Sequence, residues 1–263
     1  MAKRITAIGN TFVRYIPLMQ HLVARDIKLK YRRSFLGYVW SILNPLLIML
    51  VLTVVFSKMF NRDITNYPVY LFSGRMLFSF MTDSTNSAMH AIQRSSSLLK
   101  KAYVPKYIFP LANVTSSAVT FLFSLGAFIL LIIVTGTPIS YHVLAFPLVL
   151  IQIYVFCMGL GFFLAQANVF FRDTQHLYSV FTTAWLYLTP IFYPIETLSE
   201  GMRWAIATFN PMYYYIQQTR CLFLDHAFPS PMLILQGFLV ALVIMVLGVW
   251  CFYKTQDKFV LYL

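Results

Sequence analysis

The residues best placed to do chemistry in this chain are its bases. Arg25, Lys28, Lys30, Arg32 and Arg33 crowd together and run straight into Phe35, Tyr38 and Trp40, after which the sequence is apolar through Phe56. Fixed positive charge of this density resists crossing a bilayer and holds its end of the chain at the anionic inner surface. The rings that follow suit the headgroup layer, where one edge is wet and the other greasy. The acids offer no counterpart. Asp26, Asp63, Asp83 and Asp173 are scattered and supply no clustered carboxylates for metal or general-base work. Cys157, Cys221 and Cys251 have neither CxxC spacing nor a His in ligand register, and read as small apolar residues. No Gly is followed by Lys, so no phosphate-cradling loop is present, and HExxH, DxD and GxSxG are missing too. No catalytic residue, metal site or cofactor is expected in this chain. An energy-driven role would need its engine on another polypeptide.

Composition names the elements that must hold these residues. Of 263 residues, 59% are hydrophobic and only 11% charged. Charge that scarce cannot cover a soluble globule, whereas a lipid-facing surface needs little of it. The net charge of +12 could point to nucleic acid, but eight of the twenty Lys and Arg precede residue 34, where the positive-inside rule wants them. With no basic soluble module, nucleic acid is not an expected partner. The expectation is an all-α membrane protein of one domain over residues 1–263. Residues 1–34 form a cytoplasmic and interfacial segment, and 36–254 carry six transmembrane helices. An N-terminal amphipathic helix is predicted over 18–33, with Leu18, Leu22, Ile27 and Leu29 in apolar contact and Lys28, Arg32 and Arg33 wet. Spans are predicted near 36–58, 68–93, 107–134, 143–170, 175–193 and 231–253, on the measure of about twenty apolar residues per crossing. Both termini then lie in the cytoplasm. Fifteen bases fall on inner segments, against Lys58, Arg62, Arg203 and Arg220 outside. No cleavable leader follows Lys3 and Arg4 closely, so the first span is expected to direct insertion.

Several positions within these spans are unusual. Asn44-Pro45 frees a backbone carbonyl and permits a kink in the first. Arg75 and Asp83 interrupt the second, with Thr82, Ser84, Thr85, Asn86 and Ser87 beside them. A charge at mid-membrane costs about 2.5–3.5 kcal/mol on insertion scales, so these side chains must face protein or water, as a packed interface or as a pathway lining. Ser95–Ser97 can cap a short helix in the basic inner loop 94–106. Gly159 and Gly161 allow close helix approach. Tyr178, Phe181, Trp185 and Phe192 recur at helical spacing and are predicted to share one face of the fifth span. Residues 195–226 are apolar but broken, and neither half can span. Two short re-entrant helices on the outer side are predicted, the second starting with Asn210 as cap and Pro211 in its first turn. Asn113-Val114-Thr115 matches a glycosylation sequon by accident, inside a span.

Taken together, Arg25-Asp26-Ile27-Lys28, Ser34-Phe35-Leu36-Gly37, Trp40 to Asn44-Pro45, and Ser96-Ser97-Leu98-Leu99-Lys100-Lys101 with Tyr103, Pro105 and Pro110 form a recognisable series. Asn168 to Asp173, Thr189-Pro190-Ile191-Phe192-Tyr193-Pro194 and Asn210-Pro211 continue it. The series resembles the permease subunit of bacterial ABC transporters that export polysaccharides such as O-antigen, capsule and teichoic acid, over nearly the whole chain. Arg75 departs from the pattern, which leads one to expect an apolar residue after the Gly of the second span. The resemblance implies a homodimer in the bacterial inner membrane carrying two copies of a separate ATPase subunit, which binds ATP and Mg. Its implied substrate is a glycan on an undecaprenyl-pyrophosphate lipid. Arg25, Lys28, Arg32 and Arg33 would hold the pyrophosphate, because guanidinium forks suit phosphate oxygens. Tyr38, Trp40, Phe181 and Trp185 would stack on sugar rings along the pathway. Ser97, Leu98, Leu99, Lys100, Lys101, Tyr103 and Lys106 would couple to the ATPase. Trp204, Asn210, Pro211 and Tyr213 would belong to an outer gate. Rival readings are an exporter of small molecules or lipids and a polyprenyl-phosphate glycosyltransferase, the latter disfavoured by the scattered acids.

Overall fold

The computed structural model describes residues 2–31, 37–60, 64, 66–101 and 104–262. Among them the chain is helical throughout, without a strand. The order is α1 (Ala2–Tyr31), α2 (Trp40–Phe60), α3 (Tyr67–Met89), the short α4 (Ala91–Arg94) and α5 (Ser96–Lys101), then α6 (Ile108–Thr135), α7 (Phe146–Phe170) and α8 (Thr174–Leu188). After them come α9 (Glu200–Phe209), α10 (Pro211–Phe223), α11 (Pro231–Thr255) and α12 (Phe259–Tyr262). Three described segments, Ile108–Thr135, Tyr141–Phe170 and Pro231–Lys258, are long and apolar enough to cross a membrane, and Ile42–Phe56 is a shorter apolar run.

Local signals set the boundaries. Proline stands in the first turn of α3, α7, α10 and α11, where its missing N–H would have had no helical partner. Gly136, left-handed at φ 66°, ends α6 and turns its N–H back on the carbonyls of Ile132 and Ile133. The fifth apolar segment ends sooner than its sequence predicts. Thr189 is extended (φ −87°, ψ 132°) because the ring of Pro190 disfavours helical backbone before it, leaving α8 fifteen residues and about 22 Å long. Phe192 therefore leaves the shared face and stacks on Phe56 at 5.3 Å. Tyr178, Phe181 and Trp185 do follow one another along α8, with ring centroids 6.4 and 5.2 Å apart. The N-terminal helix also differs: it begins at Ala2, not near residue 18, and runs through Pro17. Leu22 is buried and Leu18 and Val23 pack inward. By Leu29, which is 61% exposed, α1 has run past the body it packs on.

α3 is the centre, buried over most of its length against α6, α7 and α10. α7 and α11 form the tightest crossing. A Cβ on Gly248 would collide with the carbonyl of Gly159, and one on Gly159 with the backbone of Ile244 and Met245. Only glycine at both positions permits this approach. The sequon is spent on packing: Asn113 donates to the Phe109 carbonyl, Val114 is buried, and Thr115 and Tyr154 hydroxyls meet at 2.8 Å. Large apolar side chains such as Val54, Ile133, Val246 and Tyr253 lie on the outside, a surface made for lipid rather than water.

Candidate functional site

Two features interrupt this apolar body. The first is the break between α8 and α9. Residues 189–194 leave the helical ladder, so their carbonyls need new donors. Four successive carbonyls find side chains. Arg220 of α10 donates through Nη1 to Pro190 at 2.8 Å and through Nη2 to Ile191 at 3.3 Å. Tyr67 and Tyr70 of α3 donate their hydroxyls to Phe192 and Tyr193, both at 2.9 Å. The Arg220 guanidinium is buried, lies 3.5 Å from the centre of the Tyr70 ring, and passes over Gly74, whose lack of a side chain makes room for it. Asn210 completes the tether. Its side-chain oxygen accepts from the Trp185 indole N–H at 2.8 Å and from the Met212 backbone at 3.1 Å, and its nitrogen donates to the Thr189 hydroxyl at 2.9 Å. One residue thus caps α10 and clasps the end of α8.

The second feature is a cavity of about 620 Å³ between α2, α3 and α6. From α3 it takes Arg75, Ser79, Asp83, Asn86 and Ser87, spaced so that they share a face. Ser117, Thr120 and Ser124 of α6 oppose them, and Trp40 and Asn44 of α2 close one side. Phe80 and Phe121, 4.8 Å apart, add an aromatic wall. Asp83 stands on the same face of α3 as Arg75, eight residues and about 12 Å along the helix axis. The polar cluster of α3 is therefore divided. Ser84 and Thr85 are buried as packing, with Thr85 against the Tyr178 hydroxyl at 2.6 Å, while Asp83, Asn86 and Ser87 line the cavity.

The residues singled out in the sequence disperse over several places. Arg25 pairs with Asp26 at 2.9 Å on the surface of α1, an exposed contact of small energetic weight. Lys28 is exposed beside it, and Arg32 and Arg33 lie outside the described residues, as does Tyr103. Of the four aromatics, Trp40 lines the cavity. Phe181 is exposed on α8, and Trp185 is held by Asn210 and ringed by Phe78, Phe156 and Phe181. The Tyr38 side chain lies outside the described residues. In the basic loop, Ser97, Leu98, Lys100 and Lys101 of α5 are exposed, whereas Leu99 packs against the core. Lys106 reaches the other way: its Nζ donates to the Gln256 carbonyl at 2.6 Å and sits 5.9 Å from the Phe259 ring centre, tying this loop to the end of α11. On α9, Trp204 is 64% exposed and edge-on to Phe209 at 5.6 Å. Asn210 and Pro211 cap and start α10 as predicted, and Tyr213 is half-buried on its first turn.

Sequence reasoning placed Arg220 among the outer bases; it did not foresee that the side chain is buried in protein. The signal was present but weak. A base with no acid at helical spacing, Tyr67 and Tyr70 three apart, and a glycine one turn further on mark a guanidinium seat.

Residues 17–224 match the ABC-2 type transporter family. An O-antigen export system permease protein, RfbA, from Myxococcus xanthus is 33% identical over 217 residues, covering 82% of this chain and 84% of that protein. Its namesake from Klebsiella pneumoniae is 28% identical over 243 residues, 92% of this chain and 93% of the relative. The polysialic acid transport protein KpsM of Escherichia coli is 21% identical over 209 residues, 77% of this chain and 79% of its own length.

Proposed function

This chain belongs to the ABC-2 type transporter family, and from that premise we propose that it is the membrane permease of a bacterial exporter of O-antigen or capsule-type polysaccharide. Six spans, with both termini in the cytoplasm of an inner-membrane protein, fit the distribution of bases along the sequence. Two copies form the conduit, and two copies of a separate ATPase subunit drive it. The sequence has no phosphate-binding loop of its own, and the exposed α5 offers Leu98 between Ser97 and Lys100 as a contact for that partner. The cargo is a glycan carried on undecaprenyl pyrophosphate. Lys28 and Arg25, with Arg32 and Arg33, hold the pyrophosphate at headgroup depth.

The observation that carries this reading is the tethered break at 189–194. Backbone leaves the helix within an apolar body only where protein or water replaces its hydrogen bonds, and here Arg220, Tyr67 and Tyr70 replace them in turn. The arrangement anchors α10 to α3, and α9 and α10 form an outer gate. Deletion of the chain in its native host is the test. Surface polysaccharide should disappear and lipid-linked glycan accumulate on the cytoplasmic side, with both restored by the cloned chain. Unchanged surface polysaccharide would refute the function.

A further inference from the structure

We propose that a polar pocket among α4, α5, the α7–α8 turn and α12 holds the headgroup of a membrane glycerophospholipid, one that carries an N–H or O–H donor beyond its phosphate. Phosphatidylethanolamine and phosphatidylglycerol meet that description. The exporter reading enters only through its topology, which places these helix ends at the cytoplasmic leaflet.

Donors reach the pocket from separate elements. Arg172 comes from the α7–α8 turn, Gln175 from the first turn of α8, Ser96 from α5 and Tyr262 from α12. Arg172 is exposed and has no ion-pair partner among the described residues. A guanidinium fork with hydroxyl and amide neighbours suits the oxygens of a phosphodiester.

Asn168 supplies the opposite chemistry at depth. It lines the same pocket from the last turns of α7 and is 1% exposed. Its Nδ2 donates to the Met89 carbonyl at 3.2 Å, and its backbone carbonyl accepts from the Gln93 amide at 3.1 Å. Its Oδ1 has no hydrogen-bond partner among the described residues. A buried acceptor without a donor is costly, and a donor entering from the pocket removes that cost. The lining thus selects a ligand with two polar ends: a phosphate for Arg172 and a donor for Asn168. Phosphatidylcholine, whose quaternary nitrogen has no N–H, offers that oxygen nothing.

The surroundings are amphipathic. Phe171 and Leu261, each next in sequence to a lining residue, are exposed, as is Leu177 on the first turns of α8. Acyl chains need such an apolar flank beside a polar seat, whereas a free phosphate ion does not. The Phe170 ring meets those of Tyr262 and Phe259 edge-on, at 4.9 and 5.8 Å, which fixes α12 against the end of α7. With a lipid in place, one headgroup joins α5 to the α7–α8 turn and α12.

Native mass spectrometry tests the pocket on the full-length permease with its ATPase, stripped of lipid and then offered defined lipids. A headgroup series changes the ligand and leaves the protein intact. Phosphatidylethanolamine and its N,N-dimethyl form, which keeps one N–H, should each be retained about ten-fold more than phosphatidylcholine. Equal retention of all three would overturn the assignment. Arg172→Gln should lower phosphatidylethanolamine retention about ten-fold, and unchanged retention would also overturn it. Asn168→Leu should erase the preference over phosphatidylcholine; should that variant fail to fold, the headgroup series still decides. Displacement of the lipid by inorganic phosphate would make the pocket a free-anion site. Lipid held by the permease alone but not by the complex would make it an ATPase contact. Either result overturns the proposal.

Retention of lipid does not depend on transport. If deleting the chain leaves surface polysaccharide unchanged, the exporter reading fails. If export needs the chain but the headgroup series shows no preference, the pocket assignment alone is wrong.

Discussion

Arg220→Met should loosen α9 and α10 from α3 and lower the melting temperature of the purified chain. In the structure Arg220 supplies hydrogen bonds to the buried carbonyls of Pro190 and Ile191 and lies 3.5 Å from the Tyr70 ring centre. Two orphaned carbonyls cost about 1–3 kcal/mol each, and a desolvated cation–π contact is worth about 2 kcal/mol. Methionine relieves the desolvation of a buried cation, an offset of several kcal/mol, which leaves a net loss of about 2–4 kcal/mol. For a chain of this size that is a fall of about 4–16 °C in Tm. Lysine should recover only part of the loss, because a point ammonium cannot span two carbonyls as the guanidinium fork does. A double-mutant cycle with Tyr70→Leu should show coupling of about 1–2 kcal/mol. Thermal unfolding in detergent, followed by the exposure of native thiols such as the buried Cys157, measures each variant. A melting point for Arg220→Met within about 1 °C of the parent, too small for any lost buried hydrogen bond, would refute the clasp.

Gly248→Ala should cost about 1–3 kcal/mol or more, because the new methyl collides with the Gly159 carbonyl at the α7–α11 crossing; the yield of monodisperse protein reports it. Leu98→Asp on exposed α5 should abolish co-purification of the ATPase while leaving the permease folded, and an intact complex would count against the coupling role. Charge reversal of Lys28, which is exposed on α1, should weaken stimulation of ATPase activity by lipid-linked glycan, with unchanged stimulation removing the pyrophosphate role. Trp204→Cys on α9 should label from the outside of intact cells and not from inverted vesicles.

Helices were legible where periodicity and length coincide. α6, α7 and α11 fall close to their predicted limits because each is a long apolar run closed by Gly136, by the Phe171–Asp173 turn or by Lys254. Asn210 and Pro211 were legible as a helix start because capping is local chemistry. The early end of α8 was also written in the sequence, as the proline after Thr189, but the apolar residues beyond it read as a continuing span. What the sequence hid is non-local. Counting bases by segment assigns Arg220 to the outside, since the count sees a charge and not the carbonyls 29 and 30 positions away that it serves. The cavity face of α3 was masked by Ser84 and Thr85, polar neighbours that turn inward, so that a lining and a packed seam looked like one cluster. The spacing of Trp185 is that of a residue on a shared aromatic face. Its bond to Asn210, 25 positions on, appears only in three dimensions.

The central claim is that this chain is a gated conduit for lipid-linked glycan whose driving force comes from another polypeptide. Reconstitution tests it most directly: liposomes carrying lipid-linked glycan in one leaflet receive the permease alone, the ATPase alone, or both, and glycan reaching the opposite leaflet is read with an impermeant lectin. Transfer only when both proteins and ATP are present is the predicted result. ATP-driven transfer by the permease alone, or no transfer by the complete complex, would contradict it.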